Sequence, residues 1–196
     1  MKKVLVLSVL AILLAAPAVA GEWINGAEFT LGTPLPSGCT AGAKALGAQG
    51  YDVLALGNGE CGCVNAWFHD TSFVDWQVSP FVSVGTLDAT NNNGCIEVTV
   101  TAYKQGSDLT TVGSPTATVI EDPDISAAAN VAEYMPTSTD IAVLALDGTP
   151  AQCTGTECQN KQARICLKRV TTGICSSTNY PNDIRAEAIF VDKTPP

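Results

Sequence analysis

Ile96-Glu97-Val98-Thr99-Val100-Thr101-Ala102-Tyr103 decides the fold class of this chain. Ile96, Val98, Val100 and Ala102 point one way while Glu97, Thr99, Thr101 and Tyr103 point the other, the period-two signature of a half-buried strand. The same alternation recurs near the C-terminus, with Ile184, Ala186, Ala188 and Phe190 expected on one face and Arg185, Glu187, Ile189 and Val191 on the other. Residues 73–78 and 81–84 are rich in aromatic and β-branched side chains, and Pro80 between them predicts a bend or an edge position. Residues 141–146 are apolar on both faces and read as a central strand. Residues 51–56, 116–120 and 164–170 add three more. Between these runs stand turn formers such as Asn58-Gly59, Asn91-Asn92-Asn93-Gly94 and Gln105-Gly106-Ser107-Asp108. Seven or more short strands with such punctuation predict an all-β, disulfide-stapled β-sandwich, immunoglobulin-like or jelly-roll-like. One or two short helices are expected within it. Asp122-Pro123 supplies a cap and a first-turn proline for a helix over 124–134, and residues 40–48 could make another turn or two.

The ends of the chain set its compartment. Lys2 and Lys3, an apolar run over 4–16, and Ala18-Val19-Ala20 form a secretory leader over 1–20. Cleavage near Ala20 would leave residues 21–196 as a single secreted β domain, extracellular or periplasmic. Losing Lys2 and Lys3 takes the net charge from −9 to −11. That balance disfavours nucleic acid and anionic membrane partners, which need clustered Lys and Arg. No later run is apolar and long enough for a membrane span in the mature form.

Eight cysteines follow the leader: Cys39, Cys61, Cys63, Cys95, Cys153, Cys158, Cys166 and Cys175. An even count in an exported chain argues for four disulfides, although eight cysteines allow 105 connectivities. Cys153 and Cys158 close a short loop, and Cys166 and Cys175 flank what reads as a hairpin. Those pairings leave Cys39, Cys61, Cys63 and Cys95 to join among themselves. Cys61 and Cys63 are poor partners for each other across one residue. Zinc on Cys61, Cys63 and His69 is the competing reading. The one-residue spacing and the single histidine of the chain weigh against it.

Candidate sites are few. His69-Asp70 with Ser72 is the only local grouping that suggests nucleophilic catalysis, and no Gly-x-Ser-x-Gly elbow accompanies it. No catalytic residue is assigned, so the chain reads as a non-enzyme without a cofactor. Glu121, Asp122 and Asp124, with Asp140, are the densest acids and the calcium candidates. Trp67, Trp76 and Tyr51 could form a stacking surface, with core packing the competing role. Residues 45–160 carry fourteen acids and one base, Lys104, whereas residues 161–196 carry six bases and three acids. Copies could orient through such complementary faces.

The segment after the leader, Gly21-Glu22-Trp23-Ile24-Asn25-Gly26-Ala27-Glu28-Phe29-Thr30-Leu31, reads as an assembly strand. Trp23, Ala27, Phe29 and Leu31 fall on one face of an extended chain. Such a strand either folds back onto its own sheet or enters a neighbouring subunit by strand addition. The leading functional expectation is therefore a non-enzymatic extracellular structural or interaction protein, a filament- or fimbria-like subunit that self-associates into a polymer or surface assembly. A carbohydrate- or small-ligand-binding module is the alternative, followed by a small carboxylate-based hydrolase.

Overall fold

The computed structural model describes residues 21–31, 35–68, 75–85, 94–103, 111–122, 132–134, 141–142, 161–171 and 183–194 of the 196. They build two sheets. The first contains β1 (Glu22–Asn25), β3 (Ala43–Leu46), β4 (Asp52–Leu56), β6 (Asp75–Val84), β9 (Glu133–Tyr134), β10 (Ile141–Ala142) and β12 (Ile184–Thr194). The second contains β2 (Thr40–Ala41), β5 (Glu60–Phe68), β7 (Gly94–Tyr103), β8 (Thr111–Asp122) and β11 (Lys161–Arg169). Spatial order is β10-β6-β12-β4-β3 in one and β2-β5-β11-β7-β8 in the other, with β1 added to β12 and β9 to β6. All pairings among the described strands are antiparallel except β2 with β5.

The period-two pattern becomes the core. Ile96, Val98 and Val100 of β7 are fully buried and register with Arg169, Leu167 and Ile165 of β11, while Glu97, Thr99 and Thr101 face outward. Val78, Val82 and Val84 of β6 with Ile184, Ala186, Ile189 and Val191 of β12 supply the opposing layer. Both sets belong to one buried cluster that also takes in Leu54, Leu56 and Ile120. Burial of these branched apolar side chains, each stabilising by about 1.5–3 kcal/mol, holds the two layers face to face. Arg169 reaches across the layers, its Nη1 donating to the Leu56 carbonyl at 3.4 Å. The chain is thus all-β and disulfide-bonded, as the strand pattern implies.

Several local expectations are corrected. Of the two readings of Pro80, the bend is not made, since β6 runs continuously through it and pairs it with Ile189, whereas on its other side it faces no described strand, as at an edge. β9 and β10 flank β6 on its far side only at Phe81–Val82 and at Asp75–Trp76, so no described strand needs the missing proline N–H there. Residues 40–48 form β2 and β3 instead of helix, with Gly42 tight against the Ala55 carbonyl at 2.6 Å of a would-be Cβ. Asp122 ends β8, opposite Gly94, and Glu133–Tyr134, the last two residues of the expected helix, is a strand on β6. Residues 123–131 of the expected helix lie outside the described residues. Ile141–Ala142 registers with Trp76 and Asp75 at the end of its sheet among the described strands, not at its centre, and residues 143–146 lie outside the described residues.

The disulfides follow expectation in part: Cys61 and Cys63 do not pair with each other and Cys39 takes Cys61, but Cys63 finds its partner outside the expected set. Cys63 joins Cys166 and Cys39 joins Cys61. Cys166 therefore does not pair with Cys175. The reason is register: β11 lies between β5 and β7, which sets Cys166 directly opposite Cys63 on the outward face of that sheet. Cys61, two residues along the same face, is left for Cys39 just before β2. Cys95 is disulfide-bonded too. Its partner lies among Cys153, Cys158 and Cys175, outside the described residues.

Candidate functional site

The N-terminal segment and the edge of β12 that receives it form the best-defined exposed site. β12 pairs with β6 along most of one side. On its other side β4 covers only Ile184–Ala186, and β1 covers the next stretch, with Glu22, Trp23, Ile24 and Asn25 opposite Val191, Phe190, Ile189 and Ala188. The segment from Glu22 to Asn25 thus completes the sheet of its own chain. Ile24 enters the core, whereas Trp23 points out and is 51 % exposed. The indole lies 5.1 Å from the Phe190 ring at 48° and 6.4 Å from Phe81, edge-on at 79°. Edge-to-face and tilted contacts of this kind add about 0.5–1.5 kcal/mol beyond area burial.

The extended face expected for Trp23, Ala27, Phe29 and Leu31 is interrupted. Gly26–Glu28 is a single 3-10 turn, capped at Asn25, whose Oδ1 accepts from the Ala27 amide at 2.8 Å. The Glu28 carboxylate returns the bond by accepting from the Asn25 amide at 3.0 Å. The turn changes the facing, so Trp23 and Ala27 are exposed while Ile24 and Phe29 are buried. Beyond it the chain crosses to the second sheet, where Thr30 and Cys63 exchange backbone bonds of 2.7 and 3.1 Å. Lys44 of β3 fastens the crossing, its Nζ donating to the Ala27 carbonyl at 2.9 Å and the Gly26 carbonyl at 3.3 Å. Burial pushes the Lys44 ammonium below its ordinary pKa, with the Asp52 charge pulling the other way.

A bulge in β12 shapes the seat. Register jumps between Ala186 and Ala188, so Glu187 is the extra residue. Its carboxylate is fully buried, accepts from the Ala48 amide at 2.7 Å and from the Ser83 hydroxyl, and is roofed by Gly47. The bulge reverses the alternation. Ile184 and Ala186 face inward before it, and Ile189 and Val191 face inward after it, while Phe190 turns out to meet Trp23. Sequence reasoning set Ile189 and Val191 opposite Ile184 and missed Glu187, Ser83, Phe81 and Phe190. The available signal was the three-residue step between Ala186 and Ile189 in an otherwise two-residue apolar period.

Other sequence candidates fare differently. Glu121 and Asp122 sit at the end of β8 opposite Cys95 and Gly94, and Asp124 lies outside the described residues. Among the described residues no three His, Cys, Asp or Glu side chains converge to hold a metal ion. Cys61 and Cys63, the thiols of the zinc reading, are both consumed in disulfides. Tyr51 is exposed next to the β3–β4 turn. Trp67 and Trp76 fall on strands of different sheets, β5 and β6. His69, Asp70, Ser72 and Asp140 lie outside the described residues. No described helix is long and apolar enough to cross a membrane.

No family model and no curated protein matches this chain. Among solved structures it is similar to a chain in the crystal structure of the T13 IBDV viral particle, at 12 % identity and a TM-score of 0.36. The match covers 89 % of this chain and 31 % of that one.

Proposed function

We propose that this chain is a non-enzymatic structural or interaction protein that works outside the cell once its leader is removed, and that copies join by exchanging the N-terminal strand. The observation that carries the reading is the position of β1. It is the first described strand and four residues long, it completes a stretch of β12 edge that no other described strand covers, and it puts Ile24 into the core. An element of that kind can be supplied by the same chain or by an identical neighbour at nearly equal energy, which is the basis of strand exchange. Because each chain both gives and receives at different places, the contact is heterologous and propagates. The leader-like residues 1–20 and the paired cysteines suit export into an oxidising space. The acidic bulk and basic C-terminal segment would align successive copies. Negative-stain electron microscopy of concentrated mature protein tests this. Regular fibres are expected, and a field of dispersed single-chain particles at every concentration overturns it.

A second reading has one observation in its favour. Trp23 offers an exposed indole backed by Phe190 and Phe81, a surface on which a sugar ring could stack. Titration of soluble oligosaccharides against tryptophan fluorescence separates the two, since only the binding module should respond with saturation.

A further inference from the structure

Building on the strand-exchange reading, we infer that the seat on β12 admits an incoming strand in one register only, so that the partner it accepts is the N-terminal segment of a second copy of this chain. Gly26 is the lock. A Cβ at this position would collide with the Ala186 carbonyl oxygen and lie 2.7 Å from that of Glu187. Both obstructing atoms are backbone, held in place by the bulge, so they cannot swing aside as a side chain would. Gly21 adds a softer stop at the other end, where a Cβ would run into the Phe190 ring.

Slippage fails at both parities. A one-residue slip turns Trp23 inward and Ile24 outward, reversing the two faces of the strand. A two-residue slip keeps the faces but brings Ile24 or Glu28 to the bulge carbonyls, where no Cβ fits. It also delivers either Glu22 or Gly26 to the core position of Ile24, burying a carboxylate or leaving a void. Only a segment with a glycine at 26, an aliphatic side chain two residues before it and a small residue at 21 satisfies every contact at once. The chain's own N-terminus has that spacing. The seat therefore selects against foreign edge strands as much as it selects for its own, which is how one-register polymers avoid mixed growth.

The test uses full-length mature protein and a synthetic peptide of residues 21–31 with fluorescein at its C-terminus, incubated in excess and separated by gel filtration. The unsubstituted peptide should co-elute with the protein. The Gly26→Ala peptide should be retained about tenfold less or not at all, as expected for overpacking against fixed backbone. An Ala27→Ser peptide, altered one residue on at an exposed position, should be retained like the unsubstituted one. Equal retention of the unsubstituted and Gly26→Ala peptides overturns the lock, and so does failure of every peptide to bind. Selective retention by a protein that never forms fibres upholds the lock and discards the polymer.

Discussion

The Cys63–Cys166 bridge closes a sequence separation of 103 residues, whereas Cys39–Cys61 closes 22. If disulfides stabilise chiefly by restricting the unfolded chain, the chain-entropy relation gives about 4.7 kcal/mol for the longer loop and about 3.4 kcal/mol for the shorter. Cys95 stands inside the longer loop and its own bridge shortens that loop's effective length, whereas no cysteine stands between Cys39 and Cys61, so the gap of about 1.3 kcal/mol is an upper bound and the order of the two effects is the expectation tested. Two double variants isolate them, Cys63→Ala with Cys166→Ala and Cys39→Ala with Cys61→Ala. For a domain of this size the first should melt below the second, by at most roughly 3–5 °C. Differential scanning calorimetry reads that gap, after peptide mapping has confirmed that the other bridges are intact. Equal melting points, or a lower one for the Cys39/Cys61 variant, would refute the entropic argument. A linked peptide joining Cys166 to Cys175 in the unsubstituted protein would refute the register that places Cys166 opposite Cys63.

Three further perturbations probe the seat and its supports. Phe29→Ala should cost about 3–5 kcal/mol in urea unfolding, because Phe29 is 1 % exposed and fills the space where the chain passes between sheets. A loss below 1 kcal/mol would mean that the crossing is only loosely packed. Glu187→Leu should cost about 2–5 kcal/mol, since the Ser83 hydroxyl and Ala48 amide lose their buried acceptor, while Glu187→Gln, which keeps one oxygen, should cost clearly less. Equal losses for Leu and Gln would remove the hydrogen-bond explanation. Lys44 titrates below 10.5 in the folded chain, so the unfolded chain keeps the proton longer and stability should rise with pH between the folded value and 10.5. The rise should be small, because the side chain is largely exposed. It should vanish in Lys44→Met when urea midpoints are compared from about pH 9 to 10.5.

What the sequence disclosed follows from how strictly local each signal is. β7 was legible because its register with β11 is unbroken and that with β8 shifts only beyond Val100, so the outward Glu97, Thr99 and Thr101 and the inward Ile96, Val98 and Val100 keep one alternation. β12 was legible as a strand but not in its facing, because one bulged residue, Glu187, reverses every side chain beyond it. Residues 40–48 carry alanines and a lysine that suit a helix, yet tertiary pairing on β4 and β5 overrides that weak preference. Cysteine pairing was the least accessible, since Cys63 meets Cys166 only through the spatial order of β5 and β11, to which neighbouring residues in sequence give no clue. The site was half legible. The N-terminal segment stands out as a strand, with folding back onto its own sheet one of its two expected fates. Its real facing depends on the 3-10 turn at Gly26–Glu28 and on the aromatic partners Phe81 and Phe190, which come from distant strands.

Whether β1 passes between copies can be read directly by trapping it where it lies. Asn25 registers with Ala188 across the β1–β12 pair. A full-length chain carrying Asn25→Cys and Ala188→Cys, prepared separately in light and heavy nitrogen isotopes, is mixed, allowed to assemble and oxidised. Mass spectrometry of the linked peptides then asks whether the two cysteines of each bridge come from one chain or from two. Strand exchange predicts light–heavy hybrid peptides in the assembled fraction and only single-isotope peptides in the monomer fraction. Single-isotope peptides throughout the assembled fraction would show that β1 never leaves its own sheet, and the proposed mode of assembly would be wrong.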